Sequence, residues 1–90
     1  MDIKQLDALT AVAEYGRFST AARALNTVQS NISTHIARLE NELGAILIDR
    51  SAGLLTSEGQ VVLTRARRIN AELEAMRDDV ASMSSHVTGK

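Results

Sequence analysis

Seven apolar positions in the last third of the chain fall on one line: Val62, Ala66, Ile69, Leu73, Met76, Val80 and Met83, with gaps alternating four and three. This is a heptad seam, and it predicts a helix packed side by side with a second copy. Thr56 is placed to cap that helix, which is expected to run to about Ser84, some 28 residues or roughly 42 Å at the usual helical rise. The bland alternative is an amphipathic helix folded back on its own domain. Unbroken heptads that extend well past the compact head argue against it. The chain therefore divides into a head at 1–56, a pairing helix at 57–84, and a tail at 85–90 that lacks a pattern and is expected to fray.

In the head the apolar spacing is shorter and is interrupted. Asp2 is a candidate cap for a first helix, with Gln5 as its box partner. Ile3, Leu6, Leu9 and Ala13 mark the buried stripe, Val12 sits at its edge, and Gly16 is a left-handed stop. Phe18 is a candidate core anchor. Ser19 suits the cap of a short second helix over 20–25, in which Ala21, Ala22 and Ala24 permit close approach. Asn26 tolerates the left-handed geometry that ends it. Thr27 can cap a third helix, where Ile32, Ile36, Leu39 and Leu43 share one face and Gly44 closes the end. The runs Ile46-Leu47-Ile48 and Leu54-Leu55 bracket Asp49–Gly53 and fit two short strands around a tight turn. These elements predict a mainly α fold: a winged helix-turn-helix followed by a long dimerisation helix.

Composition narrows the function. Apolar residues make up 44% of 90 residues, and Tyr15 and Phe18 are the only aromatics, which favours packed helices. With no Cys and no Pro, disulfides and thiolate sites are excluded and long helices are allowed. Apolar runs are too short to cross a membrane, and the first residues lack a charged-then-apolar leader pattern, so a cytoplasmic protein is expected. His35 and His86 stand far apart, without paired acids at ligand spacing, so no metal is expected. No phosphate loop or nucleophile elbow is present; neither enzyme activity nor a cofactor is expected. The formal net charge is −1, with acids and bases balanced in both halves. Contact with a polyanion must then rely on local arrangement.

Such an arrangement exists on the third helix. Opposite its apolar stripe lie Ser30, Thr34, Ala37 and Asn41, flanked by Gln29 and Ser33, with His35 beside them. A helix laid in the DNA major groove needs short hydrogen-bonding side chains of this kind. Gln pairs with adenine through two hydrogen bonds, and Ser and Thr reach phosphates or several base edges. Free backbone amides near Val28–Ser30 add partial positive charge for a phosphate. An ordinary solvated face reads the same on composition alone. The alanine-rich helix ahead of this face and the strand pair behind it shift the balance toward DNA. Arg50, at the start of the candidate wing, could reach phosphate or the minor groove, or merely solvate a hairpin. Arg65, Arg67 and Arg68 suit phosphates, the acids of a partner helix or, more simply, solvent. A dimeric helical interaction module without a specific DNA target is the competing reading.

Order and spacing then add a resemblance. The series Gln5-Leu6, Val12-Ala13-Glu14, Phe18-Ser19, Ala21-Ala22, Leu25, Gln29-Ser30, Ser33, Ile36, Leu39-Glu40, Leu43-Gly44, Leu47, Arg50, Leu55-Thr56 and Gly59 resembles the N-terminal region of LysR-type transcriptional regulators of bacteria. The match spans about residues 1–83. It implies a winged helix-turn-helix that reads double-stranded DNA at an interrupted inverted repeat. It also implies a homodimer through the long helix, with a tetramer as the further assembly open to a full-length protein. By position, Gln29, Ser30 and Ser33 correspond to groove contacts, Thr34 and His35 to adjacent reading positions, and Ser19 and Arg50 to phosphate contacts. Four departures stand out. Val28 replaces a usual Ser or Thr, Ser30 a frequent Pro and Thr34 a frequent Arg, and the wing is about two residues short without a basic tip. Full-length members carry a C-terminal effector-binding domain to which no segment here corresponds, so the DNA-binding portion alone is expected.

Overall fold

The computed structural model describes the backbone of residues 1–88 and the side chains of residues 1–83. Six elements follow one another: α1 (Ile3–Tyr15), α2 (Phe18–Ala24), α3 (Gln29–Leu43), β1 (Ile48–Asp49), β2 (Leu54–Leu55) and α4 (Ser57–Thr88). The three short helices pack on one another, α4 lies across α1, and the two strands form an antiparallel hairpin with Ile48 opposite Leu55. The architecture is the predicted winged helix-turn-helix with a long trailing helix.

Local chemistry explains most boundaries. Asp2 accepts the Gln5 amide at 2.9 Å and opens α1; Gly16 closes it at φ +78°. The Gln5 side chain does not complete a capping box. It is buried, with Oε1 unpartnered among the described residues. Ile3 is exposed rather than part of the stripe, whose buried members are Leu6, Ala8, Leu9, Ala11 and Val12. Helix α2 begins at Phe18 with Arg17 in the cap position, so Ser19 lies in its first turn and caps nothing. Asn26 takes the left-handed φ of +57°. Thr27 does not cap α3; its hydroxyl accepts from the Asn31 amide group at 2.8 Å, and Val28 holds the cap position with no side-chain bond. Leu43 is largely exposed, because α3 outruns the core formed by Ile32, Ile36 and Leu39.

Thr56 caps α4 as its sequence position predicts, accepting from the Gly59 amide at 3.0 Å. The helix continues to Thr88, past the expected end near Ser84; of the expected tail, 89–90 lie outside the described residues. The seam divides in two. Ala66 is 1% exposed and belongs to the head's own core, with Val62 packed against it. The expectation that these two positions meet a partner helix is therefore corrected: α1 and the hairpin already cover α4 as far as Ala66. Leu73 is half-buried, and Ile69, Met76, Val80 and Met83 stand exposed.

One contact sets how closely α4 approaches the hairpin. Gly59 is buried, and a Cβ added there would overlap the Leu47 carbonyl oxygen. Alanine for glycine inside a helix ordinarily stabilises by about 1 kcal/mol. Here the sign is expected to reverse. Gly59→Ala should destabilise by about 1–3 kcal/mol, the usual cost of overpacking. Urea unfolding followed by circular dichroism reads this, and a midpoint at or above the parent's contradicts it.

Candidate nucleic-acid interface

The turn between α2 and α3 is held by its own backbone. Leu25 donates to Ala21 at 3.0 Å, Asn26 to Arg23 at 3.1 Å and Thr27 to Ala22 at 2.8 Å. This short link fixes the angle at which α3 leaves the head. With no side chain capping α3, its first amides stay free for an acceptor from outside.

A cleft of about 390 Å³ opens at that end of α3. Ser19 from α2 and Arg17 just ahead of it line the cleft, with Gln29 and Ser33 from α3 and Arg50 and Gly53 from the wing. Four of the seven residues singled out in the sequence (Ser19, Gln29, Ser33 and Arg50) thus share one recess. Ser30 is exposed on the neighbouring ridge of α3. Thr34 lines a broader groove of about 680 Å³ with Ala37, Arg38 and Asn41. Gln29, Ser30, Ser33 and Thr34 therefore form one polar strip from the cleft to this groove.

His35 departs from the expectation. It lines a separate recess with Lys4, Asp7 and Leu25, on the flank of α3 that faces α1. Helical geometry gives the reason: each residue turns about 100°, so one step past Thr34 already leaves the polar face. His35 is half-buried there and does not join the strip.

Arg50 is held from two sides. Its Nη1 lies 3.4 Å from Glu40 Oε1, and its Cζ stands 5.5 Å from the centre of the Phe18 ring. Glu40 is only 8% exposed, and its Oε2 accepts the amides of Leu47 at 2.8 Å and Ile48 at 3.3 Å. Sequence reasoning gave no role to Glu40 or Arg17. Glu40 had a signal: it falls four residues after Ile36, beside the core stripe rather than on the solvated face. Arg17 had only its place between Gly16 and Phe18.

The wing turn is self-contained. Asp49 Oδ1 accepts from Ser51 Oγ at 2.7 Å, Ser51 N at 3.1 Å and Ala52 N at 3.2 Å. The Ser51 hydroxyl first, and then the Ala52 amide, hold the exposed Asp49 carboxyl below its ordinary pKa. The tip carries no cation. Arg65 and Arg68 flank the α4 seam beside Ile69, Leu73 and Met76, while Arg67 faces a recess shared with the hairpin. Among the described residues no three His, Asp or Glu side chains gather in one place, and no helix is long and apolar enough to cross a membrane.

This geometry is that of a helix-turn-helix with a small wing, and comparison with known proteins agrees. Residues 3–66 match the family model described as bacterial regulatory helix-turn-helix protein, lysR family. The chain belongs to that family. Its relatives include a hydrogen peroxide-inducible genes activator of Haemophilus influenzae, 33% identical over 99% of this chain and 30% of that protein. Among solved structures, the BenM DNA-binding domain in complex with benA site 1 DNA superposes with a TM-score of 0.88 at 30% identity, covering 94% of this chain and 98% of that one. The CbnR DNA-binding domain–DNA complex gives 0.79 at 36% identity, over 94% and 99%. The chain spans about a third or less of the length of several of the curated relatives it matches.

Proposed function

We propose that this chain is the sequence-specific, duplex-DNA-binding portion of a LysR-type transcriptional regulator and that it reads an interrupted inverted repeat as a homodimer. One observation carries the reading: Ser19, Gln29, Ser33 and Arg50, from three different elements, line one cleft beside the free amides of α3. A groove-reading helix needs base-edge donors and acceptors flanked by phosphate contacts, and these residue types supply both. Gln29, Ser30, Ser33 and Thr34 take the base edges; Ser19 and Arg50 take backbone phosphate. That BenM and CbnR domains of the same fold were captured on DNA supports the assignment. The reading calls for no catalytic step, no cofactor and no metal, and it goes with a cytoplasmic location.

The head at 1–56 reads, and α4 pairs. Five seam positions remain for the partner: Ile69, Leu73, Met76, Val80 and Met83, four of them exposed in a single chain. Charge along α4 favours an antiparallel pair. Three of its four arginines (Arg65, Arg67 and Arg68) lie in its first half, and four of its five acids (Glu72, Glu74, Asp78 and Asp79) lie at or beyond its middle, Glu58 and Arg77 being the exceptions. Antiparallel packing brings the two groups together, whereas parallel packing sets like against like. Two-fold symmetry of the protein then requires two-fold symmetry of the site.

Gln29→Ala and Ser33→Ala are each expected to weaken specific binding more than non-specific binding. The loss should be about 1–3 kcal/mol of discrimination against the wrong base. Competition among variants of a duplex selected from random sequence measures this, and an unchanged order of preference for Gln29→Ala would falsify its role.

Leu73→Asp places a charge in the apolar seam, where an unpaired buried charge costs on the order of several kcal/mol. The head keeps its own core, so helicity should survive while the pair dissociates. The loss of dimer should remove most operator affinity, since two half-sites are no longer read together. Sedimentation that still finds a dimer at micromolar concentration places the interface elsewhere.

A further inference from the structure

We propose that Glu40 is a positioning residue for DNA binding: its buried carboxylate, together with the Phe18 ring, holds Arg50 aimed into the cleft before DNA arrives. The proposal rests on the DNA-binding reading above and concerns a residue that makes no contact with DNA itself.

Three observations converge on it. Glu40 is 8% exposed and is anchored by the Leu47 and Ile48 amides, so the carboxylate cannot swing toward solvent. Its second oxygen meets Arg50 Nη1 at 3.4 Å, and the guanidinium stands over Phe18. The Arg50 side chain nevertheless remains 46% exposed and lines the cleft with Ser19, Gln29 and Ser33. A guanidinium has five N–H donors in a fixed fork. Glu40 engages one end, which leaves the others for a phosphate. A long side chain that is already ordered loses less freedom on binding. Lys would not substitute, since an ammonium has neither the fork nor the flat face that lies over Phe18.

The opposing effect has the opposite sign, and that makes the proposal testable. A carboxylate close to a phosphate backbone repels it. If Glu40 acted on DNA only through its charge, then neutralising it should tighten binding. If it acts by holding Arg50, then neutralising it should loosen binding, and only while Arg50 is present.

The test is a double-mutant cycle on the whole chain, with a duplex selected from random-sequence DNA by the unmodified protein. Glu40→Gln keeps the size of the side chain and an oxygen for the Leu47 and Ile48 amides. It should bind about three- to tenfold more weakly, as expected when a charge-assisted bond that orients a donor is lost. In an Arg50→Ala background the same substitution should cost nothing or bring a slight gain. In the free protein, NMR relaxation of the Arg50 Nε–H should show a more mobile side chain once Glu40 is replaced. Should Glu40→Gln fail to fold, Phe18→Leu removes the ring while keeping apolar volume, and the same Arg50-dependent loss is expected. Binding equal to or tighter than the parent's in Glu40→Gln overturns the proposal, as does a loss that persists without Arg50. An unmodified chain that selects no sequence at all would instead sink the DNA-binding reading, and this proposal with it.

Discussion

The backbone of Leu47 is the point through which the rest of the structure is tied. Its amide is held by the carboxylate of Glu40 on α3, and its carbonyl accepts from Thr56 N at 2.9 Å at the start of α4. That carbonyl is also the surface against which Gly59 packs. One residue earlier, the Ile46 carbonyl accepts the Thr56 hydroxyl at 2.6 Å. The Leu47 side chain is fully buried in the core. Helix α3, the hairpin and α4 therefore meet at one residue. Hydrogen bonds to a charged acceptor contribute about 1.5–3 kcal/mol each, and losing the acceptor would strand two buried amides. In a head this small that is a large share of the total stability.

This junction has a functional consequence. It fixes the hairpin against α3, so that Arg50 comes to the same cleft as Gln29 and Ser33. It also fixes the direction in which α4 leaves the head. A dimer built on α4 can place two reading helices at a set separation only if each helix is rigidly joined to its head. The early turns of α4 secure that joint by burying Leu63 and Ala66 in the head. Beyond it, Ile69, Met76, Val80 and Met83 stand exposed and Leu73 is half-buried.

Much of this was legible in the residues. Caps at Asp2 and Thr56, left-handed stops at Gly16, Asn26 and Gly44, and the Ile32–Ile36–Leu39 stripe act over a few neighbours, so local rules find them. Local rules failed where tertiary contacts compete. Periodicity alone could not divide the seam at Ala66, because the heptad continues unbroken while its neighbours change from head to solvent. Ser19 and Thr27 have the chemistry of caps, but the cap positions fall on Arg17 and Val28, one or two residues away. His35 was read with the polar face because it is polar; its angle on the helix places it against α1. Glu40 matched the family pattern but was given no role, because its role is to bind amides seven and eight residues ahead, across a turn whose path no periodicity encodes.

In the proposed reading, two copies of this chain, joined through α4, present two such clefts to one duplex. Hydroxyl-radical footprinting of the isolated chain on a duplex it has selected tests this most directly. Two equivalent protected half-sites are expected on one face of the DNA, related by a two-fold axis and centred about one helical turn or more apart. A single asymmetric patch of protection, unchanged as protein concentration rises, would contradict it.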